Sequence, residues 1–221
     1  MHELIERFND AGLFAWFILV EWIIILGFII ERSLFLFGSG LNKDMFLATM
    51  QKCILAGDVQ KAIKVCSAQN APMARIVQAG LVKVNRPDEE VQAAMDEAAL
   101  REIPKIEART GYLALLSNVA MLTALCGTVD GLITSFGAVS AKSVDPSQKA
   151  AILAQGISEA MNCTFFGLIV AVLGLIGFAV LNGKTQKLED DINAASVQVL
   201  NLVVANREKV NLPQQGAPAA A

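Results

Sequence analysis

The chain has 221 residues, 54% of them hydrophobic, with a mean hydropathy of +0.50 and a formal net charge of −3. A soluble domain is usually ~45–50% apolar, and here the excess is concentrated in three segments, which argues against a soluble fold and for a polytopic membrane protein. Cys53, Cys66, Cys126 and Cys163 show no C-x-x-C spacing, so neither a disulfide framework nor a zinc site is expected.

Residues 1–10 read as a short amphipathic lead outside the membrane. Residues 11–31 are the first predicted transmembrane helix, an apolar run interrupted only by Glu21 and ended by Glu31 and Arg32. Residues 32–110 are polar and predicted helical, with helix starts near Asn42 and Asp58 and a stop and restart at Gly57-Asp58. Pro87 followed by Asp88, Glu89 and Glu90 marks another start, because proline suits a first turn and acidic residues there oppose the helix dipole. Val91, Met95, Ala98 and Ile103 make a helical stripe, and Pro104 is expected to kink this helix without ending it.

Residues 111–139 are the second predicted transmembrane helix, longer than a bilayer core and so expected to project beyond it. Residues 140–149 form a short polar loop containing Asp145-Pro146. Residues 150–182 are the third span. Its helix is expected to continue through Lys187, Leu188, Ile192 and Val197 towards Val204, within a cytoplasmic segment 183–221 whose tail from Asn211 is expected to be disordered. The fold class expected is all-α: three transmembrane helices, with long helices extending into the cytoplasm.

Orientation follows from the basic residues. Arg32, Lys43, Lys52, Lys61, Lys64, Arg75, Lys83, Arg86, Arg101, Lys105 and Arg109 fall in the large loop, and Lys184, Lys187, Arg207 and Lys209 in the C-terminal segment. The other side has only Arg7, Lys142 and Lys149. Basic residues stay on the cytoplasmic side, so the N-terminus and the 140–149 loop are expected outside.

Glu159 lies inside the outer end of the third span and Asp130 inside the second. An ionisable group there costs roughly 2.5–3.5 kcal/mol or more, so each is a functional candidate by default. A bland alternative is that Glu159 reaches the headgroups, or is neutral and bonds Asn162. The second and third spans form an antiparallel hairpin, which permits a depth calculation. At ~1.5 Å per residue, Thr128 and Thr164 lie roughly 18 and 21 Å below the outer loop, and Asp130 and Glu159 roughly 15 and 14 Å.

Ser117, Ala124, Thr128, Gly131 and Ser135 make one small polar stripe, and Ala160, Thr164, Gly167, Ala171 and Gly174 another. Tight packing explains the small residues, and Gly127, Gly131, Gly167 and Ala171 are the packing candidates. The two threonines at one depth suit the lining of a polar conduit. Asp130 and Glu159 lie ~140–160° around their helices from the threonines and are expected to face neighbouring helices. In a ring, those faces can meet between subunits as a carboxyl pair in which at least one group keeps a proton.

Gly127-Thr128-Val129-Asp130-Gly131 followed by Phe136 resembles the G-T-V-x-G…F signature of the second transmembrane helix of ExbB/TolQ proteins. Ile157-Ser158-Glu159-Ala160-Met161-x-x-Thr164-x-x-Gly167-Leu168-x-Val170-Ala171 resembles their third-helix signature, with Asn182 where that helix usually carries Asn. The resemblance covers essentially the whole chain. It implies a bacterial inner-membrane subunit, multi-pass, forming a homopentamer around ExbD/TolR-like single-span partners that carry a membrane Asp. It further implies that the proton motive force drives motion delivered to the envelope, through a TonB/TolA-like or motility effector. The pore threonines of the family fall on Thr128 and Thr164, and its membrane glutamate on Glu159. Met121 and Thr123 replace the usual Pro and Gly of the second helix, Leu173 replaces the usual Pro of the third, and Asp130 is charged where the family is not.

The function expected is therefore an ion-driven motor subunit energising TonB-dependent uptake, Tol-Pal function or gliding motility. The choice among these, and between H+ and Na+, stays open. A passive ion channel or small transporter, or a membrane scaffold, is the alternative. No P-loop, nucleophile elbow or metal-ligand spacing is present, so no enzyme, metal site, cofactor or nucleic-acid partner is expected.

Overall fold

The structure is a computed structural model that describes residues 7–8, 11–140 and 145–207. The amphipathic lead apart from Arg7 and Phe8, residues 141–144 of the polar loop, and the tail 211–221 lie outside the described residues. The helices are α1 (Gly12–Gly38), α2 (Lys43–Leu55), α3 (Val59–Ala68), α4 (Pro72–Val82), α5 (Asp88–Glu107), α6 (Thr110–Ser140) and α7 (Pro146–Ala205). No strand occurs among the described residues.

The stretches Gly12–Leu55, Asp88–Ser140 and Pro146–Ala205 each contain a segment long and apolar enough to cross a membrane. Large apolar side chains stand exposed on all three: Leu13, Phe17 and Ile23 on α1, Leu122 and Ile133 on α6, Met161 and Ile176 on α7. Contiguous apolar surface on this scale is not left to water. The chain is an all-α membrane protein with three transmembrane helices.

The chain divides into two compact units. One contains Met1–Ser33 and Arg109–Asn182. Within it α6 and α7 run antiparallel, in contact through small residues. Ser135 lies against Gly156, Gly131 against Ala160, Ala124 against Gly167, and Ser117 against Gly174. Each step of four or seven residues down one helix is matched by an equal step up the other, which sets one register along the whole contact. The absence of a side chain is what allows it. A Cβ on Gly167 would meet the Ala124 methyl and sit 3.3 Å from the Ala120 carbonyl, where only backbone could yield. Lipid provides no hydrophobic drive between helices, so close packing and side-chain hydrogen bonds hold such a pair.

Helix α1 lays Ala15, Ile18 and Ile25 into this hairpin, all fully buried. Phe14 packs on Gly127, Ile25 on Gly174 and Ile29 on Gly177. At the far end of α1, Arg32 donates to Thr110 Oγ1 at 3.5 Å and Glu31 pairs with Arg109 at 2.5 Å. Arg109 itself has φ 66°, the left-handed turn through which the chain enters α6.

The second unit contains Leu34–Ala108 and Gly183–Ala221. Its helix starts follow the expected residues. Asn42 accepts the Met45 N–H at 3.3 Å, Asp58 accepts the Lys61 N–H at 3.0 Å, and Gly57 with φ 72° makes the reversal between α2 and α3. Pro87 caps α5, and Pro104 sits inside it without ending it, three residues short of the terminus at Glu107. The buried stripe of α5 departs from the expected one at its end. Val91 and Met95 are buried, but the stripe continues through Glu102 and Ile106, while Ile103 is only half-buried. A glutamate can hold a core position because it is satisfied: Arg75 bonds it at 2.9 Å and Lys105 at 2.6 Å. Burial alone pushes the Glu102 carboxyl up, but the Lys105 bond and the Arg75 charge outweigh it, and the group is held below the usual carboxylate range.

Cys53 and Cys66 are core residues here, and the Cys66 Sγ lies 3.7 Å from Met50 Sδ. Burial, with Cys53 adding to it, pushes the Cys66 thiol up to about 12, so it stays a neutral apolar filler.

Glu189 is the opposite case from Glu102. Its Oε1 is buried without a hydrogen-bond partner. Burial, a bond to Glu107, and the charges of Glu107 and Asp190 push its carboxyl up. A raised carboxyl binds its proton more tightly in the folded than in the unfolded chain. Stability therefore falls as pH rises from the ordinary glutamate range through the raised folded value, and levels off above it. Glu189→Gln removes that penalty. Thermal unfolding of the detergent-solubilised full chain is expected to show a melting point a few degrees higher for the variant at neutral to alkaline pH, with no gain in acid. An equal melting point at every pH contradicts the pairing.

Candidate functional site: the α6–α7 hairpin and its carboxyls

Thr128 and Thr164 come from the facing small-residue stripes of α6 and α7, and both are half-buried. Their hydroxyl oxygens are in hydrogen-bond contact with each other. Each hydroxyl is also anchored to its own helix: Thr128 Oγ1 donates to Ala124 O at 2.9 Å, and Thr164 Oγ1 to Ala160 O at 3.1 Å. Thr128 Oγ1 further approaches Ala160 O at 3.5 Å. A hydroxyl has one proton and two acceptor lone pairs. Two hydroxyls facing two carbonyls, Ala124 O and Ala160 O, and each other's oxygens can therefore exchange which bond each one donates, without moving the backbone. That exchange is what a polar step for a proton or hydrated ion requires. The contacts of Thr128 with Thr164 and with Ala160 O also clasp the two helices, whereas Ser117 to Leu113 O (2.8 Å) and Ser135 to Gly131 O (2.6 Å) on the same face bond back within α6.

The packing candidates sit in this contact as well. Gly131 lies against Ala160 and Gly156, Gly167 against Ala124, and Gly127 against both Cys163 and Phe14 of α1. Ala171 is 4% exposed.

The two carboxyls are not brought together within the chain. Asp130 is exposed on α6 and Glu159 is half-buried on α7, and no hydrogen bond joins them. Thr134 donates to the Asp130 main-chain carbonyl, not to its carboxylate. The Glu159 carboxylate instead lies over Gly12, the first residue of α1, whose φ is 73°. A Cβ at Gly12 would occupy the place of Glu159 Oε1. The turn into α1 thus leaves room for the carboxyl, which a side chain at this position would displace.

Sequence reasoning passed over two positions that the structure joins. Glu21 was visible as the one interruption of the first span, and Thr123 as a departure in the second. Thr123 Oγ1 donates to Glu21 Oε1 at 2.8 Å. Gly12 had no signal beyond being a glycine at the start of an apolar run. Among the described residues no group of three or more His, Cys, Asp or Glu side chains is arranged to hold a metal ion.

Over its length the chain is 28% identical to the biopolymer transport protein ExbB-like 1 of Synechocystis sp., across 97% of this chain and 84% of that protein. It is 25% identical to the biopolymer transport protein ExbB homolog of Methanothermobacter thermautotrophicus, across 86% of this chain and 66% of that one. The Tol-Pal system protein TolQ of Haemophilus influenzae is 33% identical across 44% of this chain and 42% of its own length. A family model matches residues 68–194, more than half of the chain and including both threonines, both hairpin carboxyls and the whole α6–α7 contact, and the chain belongs to the MotA/TolQ/ExbB proton channel family.

Proposed function

We propose that this protein is the ring-forming subunit of an ion-driven motor in the bacterial inner membrane, and that Thr128 and Thr164 line its ion path. The observation that carries the reading is the contact between the two hydroxyls at the middle of the α6–α7 hairpin in a chain of a proton channel family. Both threonines are only half-buried in the single chain, so the pair has a side open to a lumen that neighbouring copies would enclose. In this reading the transmembrane helices are 11–31, 111–139 and 150–182. The N-terminus and the 140–149 loop are periplasmic, and 32–110 and 183–221 cytoplasmic.

The subunit forms a pentamer around ExbD/TolR-like single-span partners, whose membrane aspartate exchanges protons with the threonine-lined path. The ion is H+, in keeping with the family, and the work goes to an envelope process of the TonB, Tol-Pal or gliding kind. The protein performs no covalent chemistry of its own. Glu159 faces the entry of α1 and stands as the proton-exchanging group nearest the outer side, with Asp130 available to a neighbouring copy or to the partner helix.

A pair of cysteines introduced in the same chain, one at exposed Ile133 of α6 and one at exposed Met161 of α7, is expected to crosslink neighbouring copies in native membranes into a ladder ending at five. A single-span partner with a membrane Asp, co-expressed, is expected to co-purify with it. A ladder ending at two, with no such partner retained, overturns the reading.

A further inference from the structure

Glu21 stands on the buried face of α1. Ile18, one turn before it, and Ile25, one turn after it, are each 1% exposed. It lies nine residues beyond the start of α1 at Gly12, roughly 14 Å along the axis, close to the middle of a hydrocarbon core of about 30 Å. Only one of its carboxyl oxygens is satisfied. Oε1 accepts the Thr123 hydroxyl at 2.8 Å, whereas Oε2 is buried and has no hydrogen-bond partner.

No Lys, Arg or His lies in the apolar part of α1, α6 or α7 to neutralise a charge there. The nearest cations along α1 and α6 are Arg32 and Arg109, bonded to Thr110 and Glu31 at the far end. The titratable groups that α6 and α7 present to this stretch of α1 are Cys163, packed on Gly127, and Glu159, beside Gly12. Cys126 and Asp130 are exposed on α6. None of these supplies positive charge. A bare carboxylate with one buried, unbonded oxygen at mid-membrane is the costliest state available to this site.

We propose that Glu21, positioned by Thr123, is a second proton-binding site of this protein, lying on the α1–α6 contact and separate from the Thr128–Thr164 pair. Proton binding forms an O–H bond on Oε2 and discharges the carboxylate, while Oε1 continues to accept from Thr123. Nothing else is consumed or released. The site takes a proton and not a metal ion: among the described residues the one side-chain oxygen bonded to the carboxylate is the Thr123 hydroxyl, too few ligands to replace the water around a cation. Thr123 is a positioning residue, holding Oε1 so that the proton is taken up on the other oxygen.

The test uses the full-length protein in phospholipid vesicles with dicyclohexylcarbodiimide, which modifies protonated carboxyls in apolar surroundings, and locates adducts by peptide mass spectrometry. An adduct on Glu21 is expected, lost as the pH is raised and unaffected by added Na+ at fixed pH. Glu21→Gln should lose this adduct while remaining folded, because the amide can still accept from Thr123. Thr123→Val should keep the adduct but lose it only at a higher pH than the wild type, since the carboxylate form has lost its donor; a purely structural contact would not move that pH. Absence of a Glu21 adduct at every pH, or protection of Glu21 by Na+, overturns the proposal. The readout does not depend on motor activity, so failure here and failure of the ring-motor reading are distinguishable.

Discussion

Thr128→Val and Thr164→Val are each expected to abolish ion-driven work while leaving the assembled complex intact. Valine keeps the branched shape and the β-branch that the helix backbone already accommodates, and removes only the hydroxyl. What is lost structurally is small. Each threonine bonds its own helix four residues back, and the hydroxyl pair is one contact among several along a hairpin held by Gly131, Gly156, Gly167 and Gly174. Side-chain hydrogen bonds between membrane helices are worth ~0.6–2 kcal/mol, which a contact of this length tolerates. What is lost functionally is the exchange of donors between the two oxygens, and with one hydroxyl gone the pair has no second oxygen with which to exchange. Native gels of the solubilised complex should look like wild type, and growth or motility that depends on the motor should fall to the level of a deletion strain. Full activity in both variants would falsify the ion-path role and leave the threonines as a helix clasp.

The second large effect is expected at Gly12, a residue that takes no part in proton chemistry itself. Gly12→Val introduces two separate conflicts. A side chain at φ 73° costs roughly 1–3 kcal/mol in backbone strain, more for a branched residue. Its Cβ also claims the position of Glu159 Oε1, so the carboxylate must rotate away from α1. If Glu159 exchanges protons from that position, Gly12→Val reduces motor output about as severely as Glu159→Gln does, and the double variant is no worse than either alone. Gly12→Ala shares the conflict with the carboxylate but carries less strain, and should be intermediate. Protein level and native-gel mobility separate this from simple misfolding. Near-normal output from Gly12→Val with normal protein level would show that the position of Glu159 does not matter.

Much of the architecture was legible before any coordinates. Three apolar runs of the right length and the start signals at Asn42, Asp58 and Pro87 are local properties, and local properties survive folding. The sequence also carried the family: its residues at 127–136 and 157–171 lie inside the matched region. Antiparallel hairpin arithmetic needs only a constant rise per residue, and it set Thr128 and Thr164 at one depth. The structure has their hydroxyls in contact. Within α5, by contrast, a stripe written from apolar residues alone missed Glu102, because hydropathy cannot register that Arg75 and Lys105 arrive from elsewhere to satisfy it.

The sequence by itself determined that this chain is helical, crosses a membrane three times and belongs to the MotA/TolQ/ExbB family, since apolar length, helical period and short motifs are all written along one dimension. Only the tertiary structure decided which polar groups meet. Depth along a helix follows from counting residues, but the rotation of one helix against another depends on which side chains let the backbones approach. Glycines at 127, 131, 156, 167 and 174 set that rotation here. They turn Glu159 onto Gly12 and bring Glu21 against Thr123, two contacts between helices that no spacing within either partner's segment foretells.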